Sequence, residues 1–297
     1  MKIAIIGAGK WGQALYHAYS SNPKNSVVIT SRTPKDIENF VSLDKALRQE
    51  YLVIAIPAQQ IRGWLERNFV DYNQNILVAA KGIETTTGAF LNEIYSQFVP
   101  NERLCFISGP SFAKEVQESL PTALMISSDN ESLAQKYADA LPTFIKGYVD
   151  RDVVGAEVAG AYKNVIAIAG GVCDGLGLGN NARAALISRG LVEMSRFGKY
   201  FGAKNKTFLS LGGAGDLFLT ASSTLSRNYR VGLGLAQGKS LEEILEELGE
   251  VAEGVGTTRA VEMIAKKHKL YTPIAHEVYL MLDQNKSPLK SVKDLLK

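Results

Sequence analysis

Short apolar runs alternate with polar, amphipathic stretches through the first half of the chain. Strands are predicted at residues 3–6, 27–30, 52–56, 76–80, 104–107 and 122–126, with helical segments between them. That alternation is the pattern of a parallel sheet with crossover helices. After about Asp152 the texture changes. Residues 153–172, 182–201, 216–225, 231–236, 241–248, 257–268 and 274–283 read as helices, with hardly a strand among them. The chain is therefore expected to form an α/β protein in which residues 1–152 make a Rossmann-type parallel-sheet domain. Residues 153–297 are expected to make an all-helical domain.

The junction of the first strand and the first helix holds the sharpest motif. Gly7-Ala8-Gly9-Lys10-Trp11-Gly12 reads G-x-G-x-x-G directly after an apolar run and before a helical one. In a dinucleotide site Gly7 allows the tight turn, Gly9 lets the backbone approach the pyrophosphate, and Gly12 lets helix pack on strand. The helix then offers unpaired N–H groups and the positive end of its dipole to the anion. The second predicted strand ends in Ser31-Arg32-Thr33, where an NAD-selective site places an acid on the ribose 2′-hydroxyl. No acid stands there, so Arg32 is read as pairing with a 2′-phosphate, which favours NADP without excluding NAD. The plainer reading is a solvated arginine at a strand end.

Ligands of such sheets gather outside the carboxyl ends of the strands. The residues to inspect are therefore Pro57-Ala58, Lys81-Gly82 and Ser108-Gly109-Pro110-Ser111. A lysine ending a buried strand needs a partner for its ammonium, and Ser111 offers a hydroxyl after a turn stiffened by Pro110. Lys163 stands among small and apolar residues (Gly155, Ala159, Gly160, Ala161, Val165, Ile166, Ala167). It either snorkels to solvent or is a desolvated ammonium able to exchange a proton near neutral pH. His17, His268 and His276 lie away from every motif and are read as structural. Asp216 closes Gly212-Gly213-Ala214-Gly215 and either reaches a ligand hydroxyl or caps a helix. Ser226-Arg227-Asn228 supplies a hydroxyl, a guanidinium fork and an amide in sequence, either a phosphate-binding set or a polar turn at a helix end.

Composition narrows the classes. The chain has 297 residues, of which 46% are hydrophobic and 21% charged, enough for two cores and too apolar for long disorder. A net charge of +3, with no basic block among aromatics, does not suggest nucleic acid. Cys105 and Cys173 have no paired or metal-like spacing and read as reduced thiols of a cytoplasmic protein. No metal site is expected. The most apolar stretch, 158–173, contains Lys163 and Asn164 and is not read as membrane-spanning.

Taken in order, GAGKWG, AAKG, SGPSFAKE, GAYKNVIAIAGG, NNARAALISRGL, GGAGDLFLT, SRNYRVG and EVAEGVGTTRA closely resemble the bacterial NAD(P)-dependent glycerol-3-phosphate dehydrogenases over nearly the whole length. The resemblance implies a two-domain fold of the 6-phosphogluconate dehydrogenase type, with the active site between the domains. It implies reversible reduction of dihydroxyacetone phosphate to sn-glycerol 3-phosphate with NADPH or NADH, for glycerophospholipid synthesis, in a homodimer. It makes Lys163 the proton donor and acceptor, and lines the substrate with Lys81, Gly109, Ser111, Asp216, Ser226, Arg227 and Asn228. It places Trp11, Arg32, Lys81, Ala113, Arg227, Val251 and Glu253 against the dinucleotide. Lys10 departs from the family, where many members carry a small serine, and leaves the choice between NADPH and NADH open. Two other readings are a hydroxyacid or ketopantoate-type reductase of the same build, and a non-catalytic dinucleotide-binding protein. The first has no need of a phosphate set at residues 226–228, and the second has none for a lysine held at position 163.

Overall fold

The computed structural model describes residues 1–297, which form two compact units. One comprises Met1–Ala80 and Asn92–Ala156; the other comprises Lys81–Leu91 and Glu157–Lys297. The division differs from a single cut after residue 152, because the Lys81–Leu91 segment groups with the helices. That segment is a small hairpin with a bridge between Ile83 and Phe90. Phe90 stacks edge-on against Phe201 at 5.0 Å, and Gly88 backs closely onto Met263 and Ile264. Apolar contact with the helices draws it out of the sheet unit.

The first unit is built on strands β1 (Lys2–Ile6), β2 (Ser26–Thr30), β3 (Tyr51–Ile54), β4 (Asn75–Val78), β5 (Leu104–Ser108), β6 (Thr122–Ser127) and β7 (Ile145–Asp150). Their order is β2-β1-β3-β4-β5-β6-β7. The chain leaves β1 toward one side and later returns to its other side, so the switch point of the sheet lies at the end of β1. Short helices α1 (Lys10–Ser20), α2 (Leu43–Leu47), α3 (Ile61–Asn68), α4 (Leu91–Tyr95), α5 (Ala113–Gln117) and α6 (Glu131–Asp139) connect the strands. Ile3, Ile5, Val53, Leu77, Cys105 and Ile126 are among the buried residues of this core.

Two features depart from the expected parallel sheet. β5 and β6 run antiparallel, and β7 is an additional strand parallel to β6. β7 is an edge strand with only Ile145 fully buried, so it lacks the apolar run that marks its neighbours. Gly147 lies against Ala138 of α6, where an added Cβ would come within 2.7 Å. The strand is thus fixed by packing of one face, which periodicity does not reveal.

The second unit is helical: α7 (Val153–Gly175), α8 (Gly179–Tyr200), α9 (Asn205–Phe208), α10 (Asp216–Thr220), α11 (Arg227–Ala236), α12 (Leu241–Leu248), α13 (Glu253–His268), α14 (Pro273–Asp283) and α15 (Pro288–Leu295). The expected helix 216–225 stops at Thr220, and the one expected from Val231 starts four residues earlier, at Arg227. α7 and α11 cross with almost no side chain between them. A Cβ on Gly171 would lie 2.0 Å from the Tyr229 carbonyl oxygen, and one on Gly232 would lie 2.0 Å from that of Ile168. No helix is long and apolar enough to cross a membrane.

The crossing makes a direct prediction. Gly232→Ala forces backbone apart from backbone, an overpacking cost of about 1–3 kcal/mol or more. The midpoint of thermal unfolding, followed by far-UV circular dichroism, is expected to fall by about 3–10 °C. An unchanged midpoint would mean that the helices do not meet here.

Candidate active site

Lys163 sits three turns into α7 and is only 7% exposed. A helix built of Gly155, Ala156, Ala159, Gly160, Ala161 and Ala167 lets neighbours approach closely, so the ammonium is enclosed and does not snorkel out. Its Nζ donates to Asp216 Oδ1 at 2.6 Å and to Thr220 Oγ1 at 2.8 Å. Asp216 is 2% exposed and opens α10; the helix cap is Gly215, so the carboxylate is not spent on capping. Its second oxygen, Oδ2, accepts from Lys81 Nζ at 2.6 Å. Lys81 follows β4 after Ala79 and Ala80, and its stem lies over Gly160, where an added Cβ would be 3.4 Å from Lys81 Cδ.

One carboxylate thus serves two ammonium groups inside a nearly dry site. Burial pushes the Lys163 pKa down most strongly; Asp216 pulls it back up, and Lys81 pushes it down again. The outcome is a value lowered to about 8. Burial raises the Asp216 carboxyl, but the two ammonium groups and their hydrogen bonds outweigh it, and its pKa lies below the ordinary carboxylate value. Glu253, at the start of α13, adds a weaker negative potential at Lys163. An ammonium has three N–H groups. Two are engaged, which leaves Lys163 one donor for a reacting oxygen.

A second cluster lies at the start of α11. Ser226 is its N-cap, with Oγ accepting from Tyr229 N–H at 3.2 Å, so the hydroxyl proton is available for a ligand. The first turn carries no acid. Asn228 is buried, and its Oδ1 accepts from Gly254 N–H at 2.9 Å, which turns the amide N–H groups the other way. Arg227 is exposed at the helix start, 3.6 Å from Glu250. A Cβ on Gly254 would meet Asn228 Oδ1 at 2.7 Å and the Asn164 carbonyl oxygen at 2.8 Å. The residue after Lys163, the start of α11 and the start of α13 therefore converge at Gly254. Hydroxyl, amide, guanidinium and helix terminus are groups of the kind that can hold a phosphate.

The sheet unit carries the other predicted set. Gly7 has φ +107°, and a Cβ there would sit 2.6 Å from the Ala55 carbonyl oxygen, so glycine is required. A Cβ on Gly12 would lie 1.8 Å from Gly7 O, which seats α1 on the turn. Gly9 has an ordinary φ of −72° and open space around it, as a backbone approached by a pyrophosphate requires. α1 has neither a side-chain cap nor an acid in its first turn. Its N–H groups are therefore suited to an anion, and the residues present fit a dinucleotide. Trp11 Nε1 donates to Ala79 O at 3.1 Å, fixing the ring at the end of β4. Arg32 and Lys10 are exposed. Gly109 has φ +114° and lies against Ala123 O, and Ser111 Oγ donates to Gly109 O at 3.0 Å, ahead of Ala113 at the start of α5.

The structure thus brings Lys81, Lys163 and Asp216 into contact, and joins Asn228 to the α13 terminus beside Val251 and Glu253. Three residues escaped the sequence reading. Thr220 lies one helical turn after Asp216, a spacing that could have suggested it. Gly254 gave no signal beyond being a glycine. Lys35, whose Nζ donates to Ala8 O in the glycine turn at 2.7 Å, is brought there by a loop and had no sequence signature.

Comparison with known proteins identifies the family. Residues 24–134 match the family model described as the NAD-dependent glycerol-3-phosphate dehydrogenase N-terminus, and residues 152–293 match the corresponding C-terminus. The chain is 65% identical over 282 residues to a glycerol-3-phosphate dehydrogenase [NAD(P)+] of Sulfurimonas denitrificans, covering 95% of each chain. It is 62% identical to the one of Nitratiruptor, over 100% of this chain and 98% of the relative. A crystal structure of glycerol-3-phosphate dehydrogenase from Coxiella burnetii superposes with a TM-score of 0.91 at 31% identity, covering 100% of this chain and 98% of the other. With both units matched and the buried lysine pair and glycine turn in place, the chain belongs to the NAD-dependent glycerol-3-phosphate dehydrogenase family.

Proposed function

We propose that this protein reduces dihydroxyacetone phosphate to sn-glycerol 3-phosphate, reversibly, and that Lys163 moves the proton. The observation that carries the reading is the Lys163 ammonium, enclosed with Asp216 and Thr220 and poised at about 8. Residues 7–12 would hold the pyrophosphate of NADPH or NADH against α1, with Arg32 at the 2′ position, Lys10 beside the pyrophosphate or the 2′-phosphate, and Trp11 and Ala113 along the cofactor. When bound, the reduced nicotinamide supplies the hydride. Ser226, Arg227 and Asn228 grip the substrate phosphate. This binding energy holds the C2 carbonyl near Lys163.

As negative charge grows on the C2 oxygen, the third N–H of Lys163 stabilises it and then delivers the proton. Asp216 keeps Lys163 fixed in both protonation states, while the Lys81 ammonium remains on the other carboxylate oxygen. In the reverse direction the neutral Lys163 amine takes the hydroxyl proton. The phosphate-binding turn favours this reading over a hydroxyacid or ketopantoate reductase, which handles carboxylates. The same reading places the protein in the cytoplasm, supported by its free, buried Cys105 and Cys173. It also makes the protein a homodimer that shields exposed apolar residues such as Leu209 and Phe218.

The purified protein is expected to oxidise NADPH with dihydroxyacetone phosphate and hardly at all with dihydroxyacetone. Lys163→Met, which keeps the apolar stem, should cut kcat by about 10²–10⁴-fold, with NADPH affinity by fluorescence titration nearly unchanged. Equal efficiency on both substrates would remove the phosphate assignment. A variant retaining more than about a tenth of kcat would remove Lys163 from proton transfer.

The pH profile gives a second check. Reduction needs the protonated lysine, so kcat/KM for the ketone should fall as pH rises through about 8. Oxidation of glycerol 3-phosphate needs the neutral amine and should rise through the same region. Asp216→Asn removes the anion that holds protons on Lys163 and is expected to move the reduction profile to lower pH. A profile that stays in place would separate Asp216 from Lys163.

Gly9→Ala introduces a methyl group into open space at an ordinary φ. It should leave thermal stability within about a degree and weaken NADPH binding by at least about tenfold, measured by titration calorimetry. Unchanged affinity would place the pyrophosphate elsewhere.

A further inference from the structure

The phosphate-binding turn at the start of α11 has to be held in register with Lys163 on α7. The surface between those two helices gives little register of its own. Gly171 and Gly232 line the crossing, where backbone lies on backbone, and Gly175 admits the small side chain of Ala236. Where Gly171 and Gly232 meet the opposite backbone, there are no interlocking side chains of the kind that ordinarily fix how two helices rotate and slide on each other. Polar anchoring beside the crossing must therefore supply the constraint.

Tyr229, the residue after Ser226-Arg227-Asn228, is 6% exposed and carries such an anchor. Its Oη donates to Asp174 Oδ2 at 2.5 Å, in the last turn of α7. The same Asp174 oxygen accepts from Arg183 NH1 at 3.0 Å, and Arg183 NH2 donates to Asn180 Oδ1 at 2.8 Å, both in the first turns of α8. The chain Asn180–Arg183–Asp174–Tyr229 thus ties three helix ends together. Tyr229 also donates its backbone N–H to Ser226 Oγ. One residue therefore aligns the serine hydroxyl through its main chain and fixes the first turn of α11 through its ring. Burial and the hydrogen bond to Asp174 push the phenol up to about 12, so it stays an O–H donor throughout the working range. A phenylalanine would fill the same volume without the hydroxyl. The hydroxyl contributes direction, which packing at a glycine crossing does not provide.

We propose that Asp174 and Tyr229, backed by Arg183, are positioning residues that set the register of the phosphate-binding turn against Lys163. The proposal rests on the reading of residues 226–228 as the phosphate site, and its test separates the two.

Tyr229→Phe removes only the hydroxyl. It is expected to raise KM for dihydroxyacetone phosphate about tenfold, with kcat within about threefold and NADPH affinity and the unfolding midpoint unchanged. Asp174→Ala should match it, and Asp174→Asn, which keeps an acceptor oxygen for Tyr229, should recover most of the loss. The double variant Asp174→Ala/Tyr229→Phe should be no worse than Asp174→Ala alone, because both remove one link. Arg227→Ala serves as the reference. If it raises KM strongly while Tyr229→Phe leaves KM unchanged, the positioning role is overturned and the phosphate site stands. An Arg227→Ala variant with unchanged KM overturns the phosphate site itself, and the positioning proposal with it. A Tyr229→Phe variant in which KM, kcat and unfolding midpoint all deteriorate together assigns the hydroxyl to stability alone and overturns the proposal.

Discussion

The buried carboxylate of Asp216, shared between the ammonium groups of Lys81 and Lys163, is the interaction on which the helical unit's chemistry depends. Two ammonium groups held in one nearly dry site repel each other and lose their hydration, an arrangement that is strongly unfavourable unless a counter-charge with good geometry lies between them. Asp216 supplies it with two contacts of 2.6 Å. The remaining imbalance is positive and useful. Burial, assisted by the Lys81 charge, lowers the Lys163 pKa to about 8, and the second ammonium adds positive potential where an oxyanion would form.

The scaffold around this triad is arranged to let backbones come close. Gly160 lets the Lys81 stem lie across α7, Gly171 and Gly232 bring α11 onto the same helix, and Gly254 admits the start of α13. Each glycine removes a side chain where another part of the chain packs close. Closeness gained in this way sacrifices the interlocking that fixes helix register. Polar links such as Asn228 to Gly254 and Tyr229 to Asp174 lie beside these close approaches, next to the residues proposed to bind the phosphate.

The sheet unit solves a different problem with the same residue type. Gly7 and Gly12 are required by contacts of the backbone with itself, whereas Gly9 faces nothing and is open to a ligand. Three glycines of one motif thus divide into two that make the turn and one that leaves room. Gly109 belongs with the first kind, since it has positive φ and lies against Ala123 O, and the hydroxyl of Ser111 is turned back onto it.

The sequence by itself determined the glycine turn between β1 and α1, the passage from alternating strands to helices, and the oddity of a lysine at position 163. These are local facts: short-range periodicity, glycine spacing and a charged residue in a small-residue stretch all show within a turn or two of chain. By resemblance it also named the candidate site residues. Only the tertiary structure decided that Asp216 serves both lysines, since 135 residues separate it from Lys81 and 53 from Lys163. Tertiary packing also decided that β7 joins the sheet edge, that β6 runs antiparallel to β5, and that residues 81–91 side with the helices. The start of α11 at Arg227, four residues ahead of the apolar periodicity, was decided the same way. Its first turn is stabilised by Ser226, Gly254 and Asp174, which are long-range or side-chain partners that a hydrophobic pattern does not encode. Local energies are written along the chain, whereas the pairing of buried charges and the register of smooth helix surfaces depend on contacts that exist only once the chain has folded.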